Sequence, residues 1–217
     1  MNMSKVYFYF LFLVLVASCS EVQKETELPI MGRSMVVDRE VNGQLVKDTV
    51  PHTIADFAFL NQDSMLVSNE TFENQVYVAD FFFTSCPTIC PKMKAQMLRI
   101  YDTYKDTSEV ALLSHTIDPT YDTVGLLKTY ASNLGVSSNK WHFVTGDQDE
   151  IYEIGEKSYL SVMAEDADAP GGFIHSGALI LVDKERRIRS VVDGTVPEQV
   201  DILINDIQKL LNAYKTD

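Results

Sequence analysis

Phe81-Phe82-Phe83-Thr84-Ser85-Cys86-Pro87-Thr88-Ile89-Cys90-Pro91-Lys92-Met93 decides the reading of this chain. It continues Val76-Tyr77-Val78-Ala79-Asp80, and the run from Val76 to Phe83 is apolar almost throughout, rich in β-branched and aromatic residues. A strand covered on both faces has that composition, so a central strand is expected. Beyond it Met93, Met97, Ile100, Tyr101 and Tyr104 recur at helical spacing, which puts the cysteines at a strand-to-helix turn. Pro91 is excluded from a helix interior and disfavours helical dihedrals at Cys90, so the regular helix is expected from Pro91 to about Lys105. Cys86 to Cys90 then turn over the helix N-terminus, where free amides and the dipole favour thiolate over thiol. Both sulfurs are expected to be reactive or metal-binding.

Toward the N-terminus, Val6 to Ala17 is an apolar run behind Lys5, shorter than the ~20 residues a spanning helix needs and shaped like an export signal. It ends Val16-Ala17-Ser18-Cys19, which resembles a bacterial lipobox. The expectation is a signal over 1–18, a lipid on Cys19 and a tether over 19–27, giving an exported lipoprotein at the membrane, facing the periplasm or cell exterior. Plain cleavage near Ser18 is the alternative. Of three cysteines one is then lipidated and two remain as a pair. Without residues 1–18 the chain holds 17 lysines and arginines against 31 acidic residues, net −14, which argues against nucleic acid as a partner.

Residues 28–217 suit one domain, expected as a monomer. Asn42-Gly43 signals a hairpin, read as an N-terminal extension packed on the domain. A short hairpin over Ala55–Leu60 and Met65–Ser68 precedes the central strand. After the cysteine helix come a strand at Val110–Ile117, a helix at Tyr121–Leu134 and a strand at Trp141–Val144. Asp147 caps a helix reaching about Ile154. Phe173–Val182 and Ile188–Val192 pair as strands, and Pro197 opens the last helix. This is the order of a thioredoxin-like fold in its peroxiredoxin-like variant, an α/β fold with a central mixed sheet flanked by helices. Thioredoxins place two residues between the cysteines and this chain places three.

Two thiolates on such a turn can form a disulfide or chelate a soft metal, but two ligands do not close a site. Four histidines are available. His52 reads as a surface residue, and His115 and His142 as packing or strand-edge residues. His175 follows Ala169-Pro170-Gly171-Gly172-Phe173, a turn that can deliver its ring to the cysteine end of the sheet. The residues alone leave it open between ligand and structural residue. Met93 and Met97 read as core, and Asp118 and Asp122 as helix caps or as residues that orient the site.

Phe83–Pro91, Ile117-Asp118-Pro119-Thr120-Tyr121-Asp122-Thr123, Val144-Thr145-Gly146, His175-Ser176 and Asp193-Gly194-Thr195 together resemble the Sco/SenC family of thioredoxin-fold copper-binding cytochrome c oxidase assembly proteins. The resemblance implies copper, as Cu(I) or Cu(II), on Cys86, Cys90 and His175. It implies cytochrome c oxidase subunit II or another copper acceptor as partner, with an upstream copper donor. The family often has an acidic residue where this chain has Ile174. A metallochaperone is the first expectation. The alternative is an enzyme, a thiol-disulfide oxidoreductase in which Cys86 and Cys90 form the redox dithiol. A peroxidase does not account for the paired turn with His175, and an inert disulfide does not account for cysteines at a helix N-terminus.

Overall fold

Asn42 and Gly43 both take positive φ, 54° and 79°, and so close a tight turn between β1 (Met35–Val41) and β2 (Gln44–Val50). The computed structural model describes residues 27–216, so the export signal, Cys19 and nearly all of the tether lie outside the described residues. The hairpin differs from expectation in one respect, because every residue of both strands is exposed or half-buried. What packs on the domain is the chain at its base. Met31 bridges to Ile188, Arg189 donates to the carbonyls of Leu28 and Pro29, and the Ile54 amide donates to the Arg186 carbonyl at 2.8 Å. His52 belongs to this base rather than the surface. It is half-buried, Nε2 donates to the Ser158 carbonyl at 2.7 Å, and its ring lies against Gly32.

The body comprises β3 (Ala58–Asn61), β4 (Leu66–Ser68), β5 (Val76–Phe82), α1 (Cys90–Tyr104), β6 (Val110–Thr116), α2 (Val124–Leu134), β7 (Trp141–Thr145) and α3 (Gln148–Lys157). Then come β8 (Met163–Glu165), β9 (Phe173–His175), β10 (Ala178–Val182), β11 (Ile188–Asp193) and α4 (Pro197–Thr216). Seven strands form one mixed sheet in the order β11-β10-β5-β6-β7-β3-β4, parallel across β5, β6 and β7 and antiparallel elsewhere. The thioredoxin-like reading is borne out. β5 is interior to the sheet and all seven of its residues are buried, as its composition requires. Its one acid, Asp80, is satisfied inside the core by the Ser114 hydroxyl, which accepts Trp141 Nε1 at 2.8 Å.

α1 buries Cys90, Met93, Met97, Ile100 and Tyr104, so Met93 and Met97 are core residues. Fully burying such a side chain contributes about 1.5–3 kcal/mol. The helix takes in Cys90, one residue earlier than Pro91 dictates, because proline is tolerated in a first turn. α2 begins at Val124 rather than Tyr121. Thr123 is its cap, its hydroxyl accepting from the Leu126 amide at 3.3 Å, while residues 118–122 form a turn. Asp147 caps α3 as expected. No helix of the described residues is long and apolar enough to cross a membrane.

Phe173–Val182 is not one strand. Ser176-Gly177 breaks it, and β9 leaves the main sheet to pair with β8, a strand the sequence reading does not contain. His115 and His142 are packing residues. Both nitrogens of His115 lack a hydrogen-bond partner, inside a cage of Phe57, Phe59, Phe81 and Tyr159. His142 stands edge-on to Phe72 and receives the Asn61 amide at 3.3 Å.

Candidate metal centre

Parallel pairing of β5 with β6 sets two chain ends side by side above the sheet, the cysteine turn after Phe82 and the loop after Thr116. Asp122 locks them together. It is fully buried and accepts from the Thr84 amide at 3.0 Å, the Thr84 hydroxyl and the Thr116 hydroxyl at 2.6 Å. Burial raises its carboxyl above the ordinary carboxylate value, and these bonds offset only part of the rise. Asp122 is thus no helix cap. Sequence spacing could not show this, since Thr84 and Asp122 meet only because β5 and β6 are neighbours. Asp118 shapes its own turn, its carboxylate accepting from the Thr120 hydroxyl at 2.9 Å and the Tyr121 amide at 3.3 Å.

β8 and β9 form a two-stranded flap that folds back over the cysteine turn. Gly171, at its bend, has φ of 85°, and a Cβ there would stand 2.8 Å from the Phe83 ring and 3.2 Å from Pro87. Only glycine allows this approach. Phe83 in turn packs on Phe173 at 5.1 Å and stands edge-on to His175 at 5.7 Å, fixing the imidazole between flap and turn.

The result is a cluster in which Cys86 Sγ, Cys90 Sγ and one nitrogen of His175 all lie within 4.8 Å of one another. The cysteines are free thiols. His175 Nδ1 lies 3.2 Å from the Ser176 carbonyl, which can only accept, so Nδ1 carries the proton and Nε2 offers its lone pair to Cys90 Sγ at 3.3 Å. Burial lowers the His175 pKa, only partly countered by the Ser176 and Phe81 carbonyls, which favours the neutral ring, the form that can bind a metal.

The two thiols are not equivalent. Burial acts to raise Cys86, but the Thr88 amide, the Cys90 thiol, the Cys90 amide and the Thr88 hydroxyl outweigh it, and Cys86 falls below the ordinary thiol value. Cys90 is pushed far up. Its burial dominates, the Phe83 backbone offsets a part, and the negative charge of Cys86 adds to the rise. The single Cys90 proton therefore faces two acceptors, the Cys86 thiolate and His175 Nε2. One soft cation in its place would serve all three donors. Metal bonds of about 2.0–2.3 Å would set three such donors roughly 3.5–4 Å apart, within the 4.8 Å that encloses this cluster.

This sequence and fold recur among known proteins. The sequence signature of SCO1/SenC matches residues 47–212. The SCO1 protein homolog of Bacillus subtilis (strain 168) is 33% identical over 168 residues, covering 76% of this chain and 86% of that protein. The structure of BsSco, described as a member of the Sco family of cytochrome c oxidase assembly proteins with a disulfide switch, is 32% identical. It aligns with a TM-score of 0.64 over 72% of this chain and 92% of its own. The copper-bound structure of ScoI from Arabidopsis thaliana shares the fold at 22% identity, with a TM-score of 0.60 over 71% of this chain and 98% of that one. With a signature that spans most of its length and encloses the two cysteines and His175, this chain belongs to the SCO1/SenC family.

Proposed function

We propose that this protein is a copper metallochaperone that takes one copper ion as cargo on Cys86, Cys90 and His175 and delivers it to the copper centre of cytochrome c oxidase. The observation that carries this reading is the placement of His175 Nε2 on Cys90 Sγ, with its tautomer fixed by the Ser176 carbonyl. Thiolates stabilise Cu(I) and imidazole accommodates Cu(II), so this set suits copper in both states. Stepwise exchange of ligands with an acceptor can then pass the ion on. The lipid on Cys19, outside the described residues, belongs to the same reading. It would hold the carrier at the membrane surface where a respiratory acceptor stands.

A second reading is favoured by the split between the thiols. A low Cys86 and a high Cys90 suit an attacking thiolate and a resolving thiol, the division of labour in thiol-disulfide exchange. The same protein would then reduce the acceptor's cysteines before metallation. His175 separates the two readings, since exchange needs only the cysteines. Copper titration of the reduced protein should end at one equivalent, and cells carrying His175→Ala should fail to mature their oxidase. Normal maturation with His175→Ala, together with failure of Cys86→Ser, would replace the chaperone reading by the reductase one.

A further inference from the structure

The flap that carries His175 has a second face. β8 and β9 pair Met163 with His175 and Ala164 with Ile174, and side chains alternate along each strand. Met163, Phe173 and His175 point inward, toward Phe81, Phe83 and the cysteine turn. Val162, Ala164 and Ile174 share the outward face, and Val162 is 67% and Ile174 48% exposed. Leu160, just before the flap, is 51% exposed. Glu165, Asp166 and Asp168 stand at the flap's tip, while the ion pairs of the described surface lie elsewhere, as at Arg99–Asp201, Lys128–Asp63 and Arg186–Asp56.

We infer that this outward face is the docking surface for the copper acceptor, and that the acceptor presents an apolar spot flanked by basic residues. The inference rests on the copper-delivery reading and adds to it the chemistry of the partner. Ligand exchange requires the two ligand sets to meet. Cys86 and Cys90 are only 8% and 4% exposed, so a partner must lie against the flap and turn that cover them. Single exposed apolar residues need no explanation, but here they share one face of a short ribbon whose other face holds a ligand. A ribbon of two three-residue strands is marginal alone and gains from being covered. The acidic tip, on a chain of net charge −13, selects a basic rim, and rim charges set encounter rate and salt dependence. Buried apolar contacts set how long the complex lasts.

The test uses the full-length chain in detergent, loaded with one copper, and the soluble copper-binding domain of cytochrome c oxidase subunit II as acceptor. Val162→Lys and Ile174→Lys should slow transfer about tenfold or more, equivalent to one well-packed contact. Their copper spectra and thermal stability should match the parent. Neutralising Glu165, Asp166 and Asp168 to the amides should slow transfer and flatten its salt dependence. Transfer by both lysine variants within twofold of the parent overturns the docking surface while leaving the delivery reading in place. Absence of transfer by the parent overturns the delivery reading and this inference with it. If the lysine substitutions instead abolish self-association of the parent, the face belongs to a second copy and the inference is wrong.

Discussion

His175 Nε2 lies 3.3 Å from Cys90 Sγ across 85 positions of sequence, and its other nitrogen is committed to the carbonyl of the next residue. Each half of that arrangement makes a separate demand. The first brings a neutral nitrogen donor to two sulfurs, and the second makes Nε2 the nitrogen that is free to bind.

Replacing His175 by alanine should therefore cost the third donor and leave the dithiol. Copper affinity is expected to fall by at least about a hundredfold, while Cys86 and Cys90 still oxidise to a disulfide. Competition against a Cu(I) chelator, beside a thiol count after mild oxidation, measures both. Undiminished affinity would remove His175 from the site.

The thiols should titrate apart in the reduced, metal-free protein. Only thiolate alkylates, so Cys86 should react at pH values below the ordinary ~8.5 and Cys90 should stay protected well above it. Mass spectrometry of iodoacetamide-treated protein across pH 5–10 identifies which cysteine reacts first. Equal rates at the two sites would contradict the hydrogen-bond argument.

Asp122 ties the cysteine turn to the neighbouring loop, and removing it leaves the half-buried Thr84 amide without its acceptor. Asp122→Ala should destabilise the fold by about 2–4 kcal/mol and weaken copper binding by loosening Cys86. Urea unfolding and copper titration read the two effects. A variant as stable as the parent would mean that the loop finds another anchor.

His115 is an expensive core residue, because neither nitrogen is paired. Burial holds its imidazole down at about 3, against 6.5 in an unfolded chain, so the native state keeps it neutral while the unfolded state takes up a proton below 6.5. Its contribution to stability is thus intact above pH 6.5 and is lost as the pH falls toward 3. His115→Phe should stabilise the protein by about 1–3 kcal/mol at pH 7, with a larger gain at pH 5. Melting curves at the two pH values decide it. A gain that shrinks on acidification would contradict the sign.

The lipid proposed on Cys19 predicts that the parent partitions into membranes and takes up labelled fatty acid, and that Cys19→Ser does neither. Membrane retention by the serine variant would point to another mode of attachment.

Much of this architecture is local and so was legible in the chain itself. The apolar composition from Val76 to Phe83, the helical spacing from Met93 to Tyr104, Asn42-Gly43 and the cap at Asp147 each report short-range physics, namely side-chain burial and backbone dihedrals. Those signals fixed the order of strands and helices and put the cysteines at a strand-to-helix turn. The tertiary structure decided what depends on residues far apart in sequence. It split Phe173–Val182 so that β9 could leave the sheet, turned Asp122 from a cap into a clamp on Thr84, and brought His175 to the two cysteines. It also divided the two thiols, because thiolate stability depends on burial and on which donors surround each sulfur. A motif places Cys86 and Cys90 on one turn, but only the packed core decides which hydrogen-bond donors surround each buried sulfur.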